Sequence, residues 1–227
     1  VSYLNWQQKV FADLRKKVFE AGEIVGKKVK DALFALETRD LNLAKLIIGG
    51  DNEVDNLTLA LEMEALELIS LQQPVEWELR FLAATIRISH ELERIGDYAC
   101  DIAETVLLFA KKGAFFKPLD DINCMGSLVQ TMMDKSIRAY LENDLNSSRQ
   151  MHNDDDEVDR LFLKLLDELG EYMKQGSNYV DQASGLILVD RYLERIGDHI
   201  VNIAEMTIFI ESGDHSPFKT RKEGTAE

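Results

Sequence analysis

Glu93, Asp97 and Asp101 stand four residues apart with Glu104 three further on, and Asp190, Glu194, Asp198 and Asn202 repeat the spacing before Glu205. On a helix, four-residue spacing stacks side chains along one face, so each set forms a ladder of oxygens. Asp51-x-x-x-Asp55 and Asp155-x-x-x-Asp159 are two shorter ladders of the same kind. Clusters that offer only oxygen suit hard cations such as Mg²⁺, Ca²⁺, Mn²⁺ or iron. The competing reading is a solvated acidic face, since like charges at i, i+4 cost only about 0.2–0.5 kcal/mol each. Arg94 and Arg195, three residues before Asp97 and Asp198, also relieve part of that cost. Three features favour metal. The stripe occurs twice in one register, it lacks a lysine at i+4, and it surrounds Gly96 and Gly197. A missing side chain there lets something approach the backbone and keeps the helix surface open beside the acids.

The elements that must carry these acids follow from an internal repeat. LERIGD occurs at residues 92–97 and again at 193–198. Ile102-Ala103-Glu104 returns as Ile203-Ala204-Glu205, Asp40-Leu41-Asn42 as Asp144-Leu145-Asn146, and Glu53-Val54-Asp55 as Glu157-Val158-Asp159. One ancestral unit, duplicated, accounts for all of them. Each unit is expected to be three helices. The first runs from about Leu4 to Ile48, kinked near Thr38–Asp40, and stops at Gly49-Gly50. Asp51 is placed to cap the second, which ends before Pro74, and the third runs from near Val75 to about Lys112. Residues 1–112 form the first bundle, 113–119 a linker, 120–211 the second bundle and 212–227 a tail without periodicity.

Ile88, Leu92, Ile95, Ala99, Ile102, Val106 and Phe109 form a heptad seam on the third helix. Val189, Leu193, Ile196, Ile200, Ile203, Thr207 and Ile210 repeat it. Such seams pack helices slightly off antiparallel, as in up-down bundles. The fold class is therefore all-α, two tandem three-helix bundles, expected to be joined end to end. Sequence leaves open whether the acids at the start of each second helix meet the stripe, because that depends on register.

With 26 Lys and Arg against 41 Asp and Glu, the net charge of −15 argues against nucleic acid as a partner. The chain shows no leader pattern at its start and no run of about 18 apolar residues, so a cytoplasmic protein without membrane insertion is expected. Cys100 and Cys124 match no zinc or redox spacing. None of His90, His152, His199 or His215 follows a Glu by three, which disfavours a ferritin-like di-iron enzyme, and His199 stands out for being beside Asp198. Gly22-Glu23-Ile24-Val25-Gly26-Lys27-Lys28 has a phosphate-loop look, but it is one residue short, lacks the final Ser/Thr and lies within a helical segment. Met125, Met132, Met133, Met151 and Met173 suit core or linker packing better than a partner groove.

Taken with the duplicated three-helix pattern, Asp51/Asp55, Glu93/Asp97, Asp155/Asp159 and Glu194/Asp198 match a repeated E/D-x-x-x-D motif over nearly the whole chain. In this the sequence resembles the PhoU family, the accessory and regulatory proteins of bacterial phosphate transport. The resemblance implies a non-enzymatic regulator that works between the phosphate ABC transporter ATPase and a sensor histidine kinase. It would hold the starvation response off when phosphate is plentiful, at the inner face of the membrane through its protein partners. It also implies a metal cluster of iron or a divalent ion (Fe, Mn, Mg or Zn). The implied ligands are Asp51, Asp55, Glu93, Asp97 and Asp101 in the first bundle, and Asp155, Asp159, Glu194, Asp198 and Asn202 in the second. Asn202 in place of Asp101 leaves the second set one charge poorer. A metal-dependent helical enzyme and a metal-free helical adaptor remain as alternatives, and a homodimer through exposed seams is open.

Overall fold

A computed structural model describes residues 2–213, with the backbone alone at 2–8 and 111. Among the described residues seven α-helices follow one another: α1 Ser2–Thr38, α2 Leu41–Gly49, α3 Asp51–Gln72, α4 Glu76–Leu108, α5 Asp120–Glu142, α6 Leu145–Gln175 and α7 Ser177–Ser212. A short 3₁₀ turn, Phe109–Lys111, extends α4. The expected tail lies outside the described residues from 214 onward.

The duplication is visible in how the helices break. After α1, Arg39 takes a left-handed conformation (φ 57°), and the Asp40 carboxylate accepts from the amides of Asn42 and Leu43 to cap α2. After α5, Asn143 does the same (φ 58°), and Asp144 accepts from Asn146 and Ser147 to cap α6. The expected kink near Thr38–Asp40 is thus a full break, and the first helix ends there rather than at Ile48. Gly49-Gly50 interrupts the second helix of the first unit into α2 and α3, whereas α6 runs unbroken through the equivalent positions. Asp51 does not cap α3. Gly50 holds the cap position without a side-chain bond, and Asp51 lies in the first turn, where the helix dipole favours its charge.

The seam residues are buried in both units, from Ile88 to Phe109 on α4 and from Val189 to Ile210 on α7. Their burial joins one continuous core rather than two, because the bundles lie side by side, not end to end. α4 packs antiparallel on α7, with Arg80 Nε donating to the Ile210 carbonyl at 3.0 Å near one end and Gly185 against Phe109 at the other. α1 packs antiparallel on α5 in the same manner. A Cβ on Gly22 would stand 2.6 Å from Ile137, and one on Gly126 would stand 2.6 Å from Leu33. Gly22 of the false phosphate loop is therefore a place where α1 lets α5 come close. Met125, Met132, Met133 and Met151 are buried core and Met173 packs against it.

One buried polar group spans the two halves. Glu91 of α4 accepts from His199 Nδ1 at 2.6 Å and from Asn202 Nδ2 at 3.0 Å, both on α7, with Arg87 at 3.6 Å. Burial works to raise the Glu91 pKa, but the bonds from His199 and Asn202 and the nearby charges outweigh it, and the net shift is downward. A depressed carboxylate pKa adds stability that is present above its ordinary value and is lost as pH falls through the shifted one. Glu91→Ala is expected to destabilise the protein by about 1–3 kcal/mol, because His199 and Asn202 lose their acceptor. Urea titrations at pH 7 and at pH 3.5 check this, with the difference from wild type shrinking at the lower pH.

Candidate metal site

The acids meet because Val54 seats on Gly96. A Cβ on Gly96 would stand 3.0 Å from Val54 Cγ1, so α3 can lie close to α4 only where that side chain is missing. Val54 is buried, and its neighbours one turn apart, Asp51 and Asp55, are thereby turned toward Asp97, the residue after Gly96. The second unit uses the same device, with Val158 and Asp155 against Gly197. What approaches the glycine backbone is thus the neighbouring helix of the same unit. The helix surface at Gly96 and Gly197 is filled by protein, contrary to the open surface expected beside the acids.

Asp51, Asp55 and Asp97 each offer a carboxylate oxygen within 4.8 Å of the others, and all three are half-buried. The Asp97 pKa is raised, first by burial and then by the charges of Asp51, Glu93 and Asp55, against the pull of Arg94. Asp101 is also raised, by burial first and then by Glu104 and Asp97. Arg94 bonds Asp97 at 2.7 Å, and Lys28, reaching across from α1, bonds Asp51 at 2.6 Å. These two cations offset part of the charge and the Asp51 pKa is lowered, but against Asp51, Asp55, Asp97 and Glu93 they still leave negative charge in excess. That excess and an oxygen-only donor set fit a hard cation. Cys100 adds no thiolate. Burial, followed by its bond to Asp51, pushes its pKa up to about 12, and the thiol donates to Asp51 Oδ1 at 3.2 Å.

The second set is built differently. Asp155 is buried in mid-helix, where Asp51 opens a helix. Glu194 bonds Arg191 at 2.9 Å, and Asp198 bonds Arg195 at 3.1 Å. Arg191 occupies the position of His90 in the first unit, so both cations of this set come from α7 itself, where the first set draws Arg94 from α4 and Lys28 from α1. Glu194 is nevertheless raised, by burial first and then by Asp198, with Asp159 also contributing. Among the described residues, only Asp51, Asp55 and Asp97 draw together closely enough to share an ion. Glu93 acts on that trio through its charge, and Asp101 stands one turn beyond it, near Tyr192 of α7. Asn202 donates its amide to Glu91 in the contact between the halves, so the group that replaces a carboxylate there helps to hold them together.

Sequence reasoning missed Lys28, Glu91 and the role of Asp190. No spacing signal marks Lys28, which comes from another helix. Asp190 continued the four-residue ladder but stood out in no other way. It is fully buried, neither carboxylate oxygen has a hydrogen-bond partner among the described residues, and burial, then the Glu194 charge, pushes its pKa up to about 8 against the pull of Lys117.

The fold and the site define a class: a tandem three-helix-bundle protein whose acidic E/D-x-x-x-D helices meet over a glycine in each unit. A family model described as the PhoU domain matches residues 18–106 and again 122–207. The chain belongs to the PhoU family. It is 34% identical over 204 residues to the phosphate-specific transport system accessory protein PhoU homolog of Clostridium acetobutylicum, covering 88% of this chain and 92% of that one. It is also 34% identical over 203 residues to PhoU homolog 1 of Methanothermobacter thermautotrophicus, covering 89% and 93%. The crystal structure of PhoU from Pseudomonas aeruginosa superposes with a TM-score of 0.87 at 28% identity, over 91% of this chain and 99% of that one. That of the phosphate transport system regulatory protein PhoU from Streptococcus pneumoniae gives 0.85 at 25%, over 91% and 97%.

Proposed function

We propose that this protein is a non-enzymatic negative regulator of phosphate uptake and of the phosphate-starvation response. It acts as an adaptor between the ATPase of the phosphate ABC transporter and a sensor histidine kinase. The observation that carries this reading is the PhoU-domain match in both halves, with relatives named as accessory proteins of phosphate-specific transport. No described helix is long and apolar enough to cross a membrane, which supports attachment to the inner face of the membrane through protein partners. Affinity purification from phosphate-replete and phosphate-starved cells tests it. The transporter ATPase or a sensor kinase should co-purify in amounts that follow phosphate supply. Recovery of neither in both conditions would overturn the adaptor reading.

We also propose that Asp51, Asp55 and Asp97 hold a hard cation, with Glu93 adding negative charge beside them. When bound, such an ion supplies local positive charge on an otherwise acidic surface, which lets an acidic or phosphate-bearing partner approach. The residues of the chain do the rest. The Val54–Gly96 contact fixes the carboxylate spacing, and Lys28 and Cys100 orient Asp51 from behind. Asp97→Asn is expected to weaken Mn²⁺ binding by at least about tenfold, and Asp198→Asn much less, in calorimetric titrations of chelator-stripped protein. Absence of Mn²⁺ or Fe²⁺ uptake by the wild-type protein would favour the metal-free adaptor instead.

A further inference from the structure

We propose that the outer face of α3 is a docking surface for an amphipathic, net-basic helix of a partner protein. Leu59, Met63 and Leu66 follow one another at i, i+4 and i+7, and they remain 54%, 57% and 42% exposed. Three large apolar side chains on one helix stripe form a contiguous patch rather than scattered surface residues. The spacing is that of an apolar helix face, and a partner helix lays its own i, i+3, i+4, i+7 anchors against such a surface. Met63 at the centre can adapt to a partner's shape.

The charge around the stripe selects the partner. α3 contains Asp51, Glu53, Asp55, Glu62, Glu64 and Glu67, and no Lys or Arg. Glu62 flanks the stripe on one side and Glu67 on the other. Glu62 and Glu67 form no ion pair among the described residues. Cations on the neighbouring helices are engaged: Lys17 bonds Glu64 at 2.9 Å, Arg87 leans to Glu91 at 3.6 Å and Arg94 bonds Asp97 at 2.7 Å. An apolar stripe within an acidic rim complements Lys or Arg on the flanks of an incoming helix. A second copy of this face would set acid against acid, in a chain already carrying −15.

The duplication supplies an internal control. At the 104-residue offset that relates Asp55 to Asp159, the three positions are Leu163, Asp167 and Gly170 on α6, a helix that also carries Arg160, Lys164 and Lys174. Folding of the unit does not require the stripe, because the sister unit folds without it. The surface stands on this geometry alone, whether or not the adaptor and metal readings hold.

The test uses two synthetic fluorescein-labelled helical peptides of about five turns, both with leucines at i, i+4 and i+7. One has lysines on the flanks and the other has glutamates. Fluorescence anisotropy is read on the full chain, on Met63→Asp/Leu66→Gln, on Glu62→Lys/Glu67→Lys and on Leu163→Gln. The substituted sites are exposed, apart from the half-buried Glu62, and thermal melts confirm that each variant is folded. The lysine peptide should bind wild type and Leu163→Gln alike, lose at least about tenfold with either α3 variant, and outbind the glutamate peptide. Equal binding to the α3 variants, or equal binding of the two peptides, would overturn the proposal. So would sedimentation of wild type as a dimer that Met63→Asp/Leu66→Gln converts to monomer, since a second copy would then occupy the face.

Discussion

Replacing Asp190 by asparagine is expected to stabilise the protein by about 3 kcal/mol at pH 8 and by almost nothing at pH 4. The carboxyl is fully buried, its oxygens find no donor among the described residues, and its pKa is pushed up to about 8 by burial and by Glu194. In the unfolded chain it returns to about 4. A carboxylate whose pKa is raised on folding gives stability that is fully present below the unfolded value and is lost as pH rises through the folded one. Relative to the asparagine variant, wild type should therefore weaken steadily between about pH 4 and pH 8. At about 1.4 kcal/mol per pH unit the full shift would exceed 5 kcal/mol, and water drawn in on ionisation trims that to the value given. In a chain of this size, the difference at pH 8 corresponds to roughly 6–12 °C in Tm. Thermal melts from pH 4 to pH 8 in the presence of a chelator measure it. Parallel curves for the two proteins would mean that Asp190 is ionised and satisfied in the folded state. Asp190→Ser, which copies Ser89 of the first unit, should behave like the asparagine variant.

Gly185→Val is expected to cost about 2–4 kcal/mol, although valine is the better helix former. A Cβ at Gly185 would stand 2.5 Å from Phe109 Cζ and 2.7 Å from Cε1. Phe109 is buried and held edge-on by Phe115 at 5.3 Å between centroids, so the ring cannot swing aside without moving its neighbour. Gly170→Ala provides the comparison. A Cβ there meets nothing within 4 Å among the described residues, so the helix propensity should show through as a gain of up to about 1 kcal/mol. Urea unfolding of both variants reads the two signs. The experiment also probes the arrangement of the halves, because Gly185 lies in the second unit and Phe109 at the end of the first. If the valine variant unfolded at the wild-type midpoint, the close contact of α4 with α7 would be wrong.

Much of this protein is written in one dimension. The heptads from Ile88 and from Val189 set the buried faces of α4 and α7, because burying a stripe of 3.5-residue period requires a nearly antiparallel neighbour. The repeated Asp-Leu-Asn at 40 and 144 fixed two helix starts through local side-chain caps, which need nothing from the rest of the fold. The acid ladders and the doubled LERIGD located the candidate ligands, since i, i+4 spacing settles which side chains share a face. Other features needed the third dimension. Only the fit of Val54 onto Gly96 decides that Asp51 and Asp55 meet Asp97, because register between separate helices depends on shape rather than spacing. Gly49-Gly50 opens α3 at Asp51, while the unbroken α6 buries Asp155 in mid-helix, so two copies of one motif became unlike sites. Side-by-side docking through Gly22, Gly126 and Gly185 was hidden for the same reason. A glycine in a helix signals close approach, but only the packed structure shows which helix approaches it.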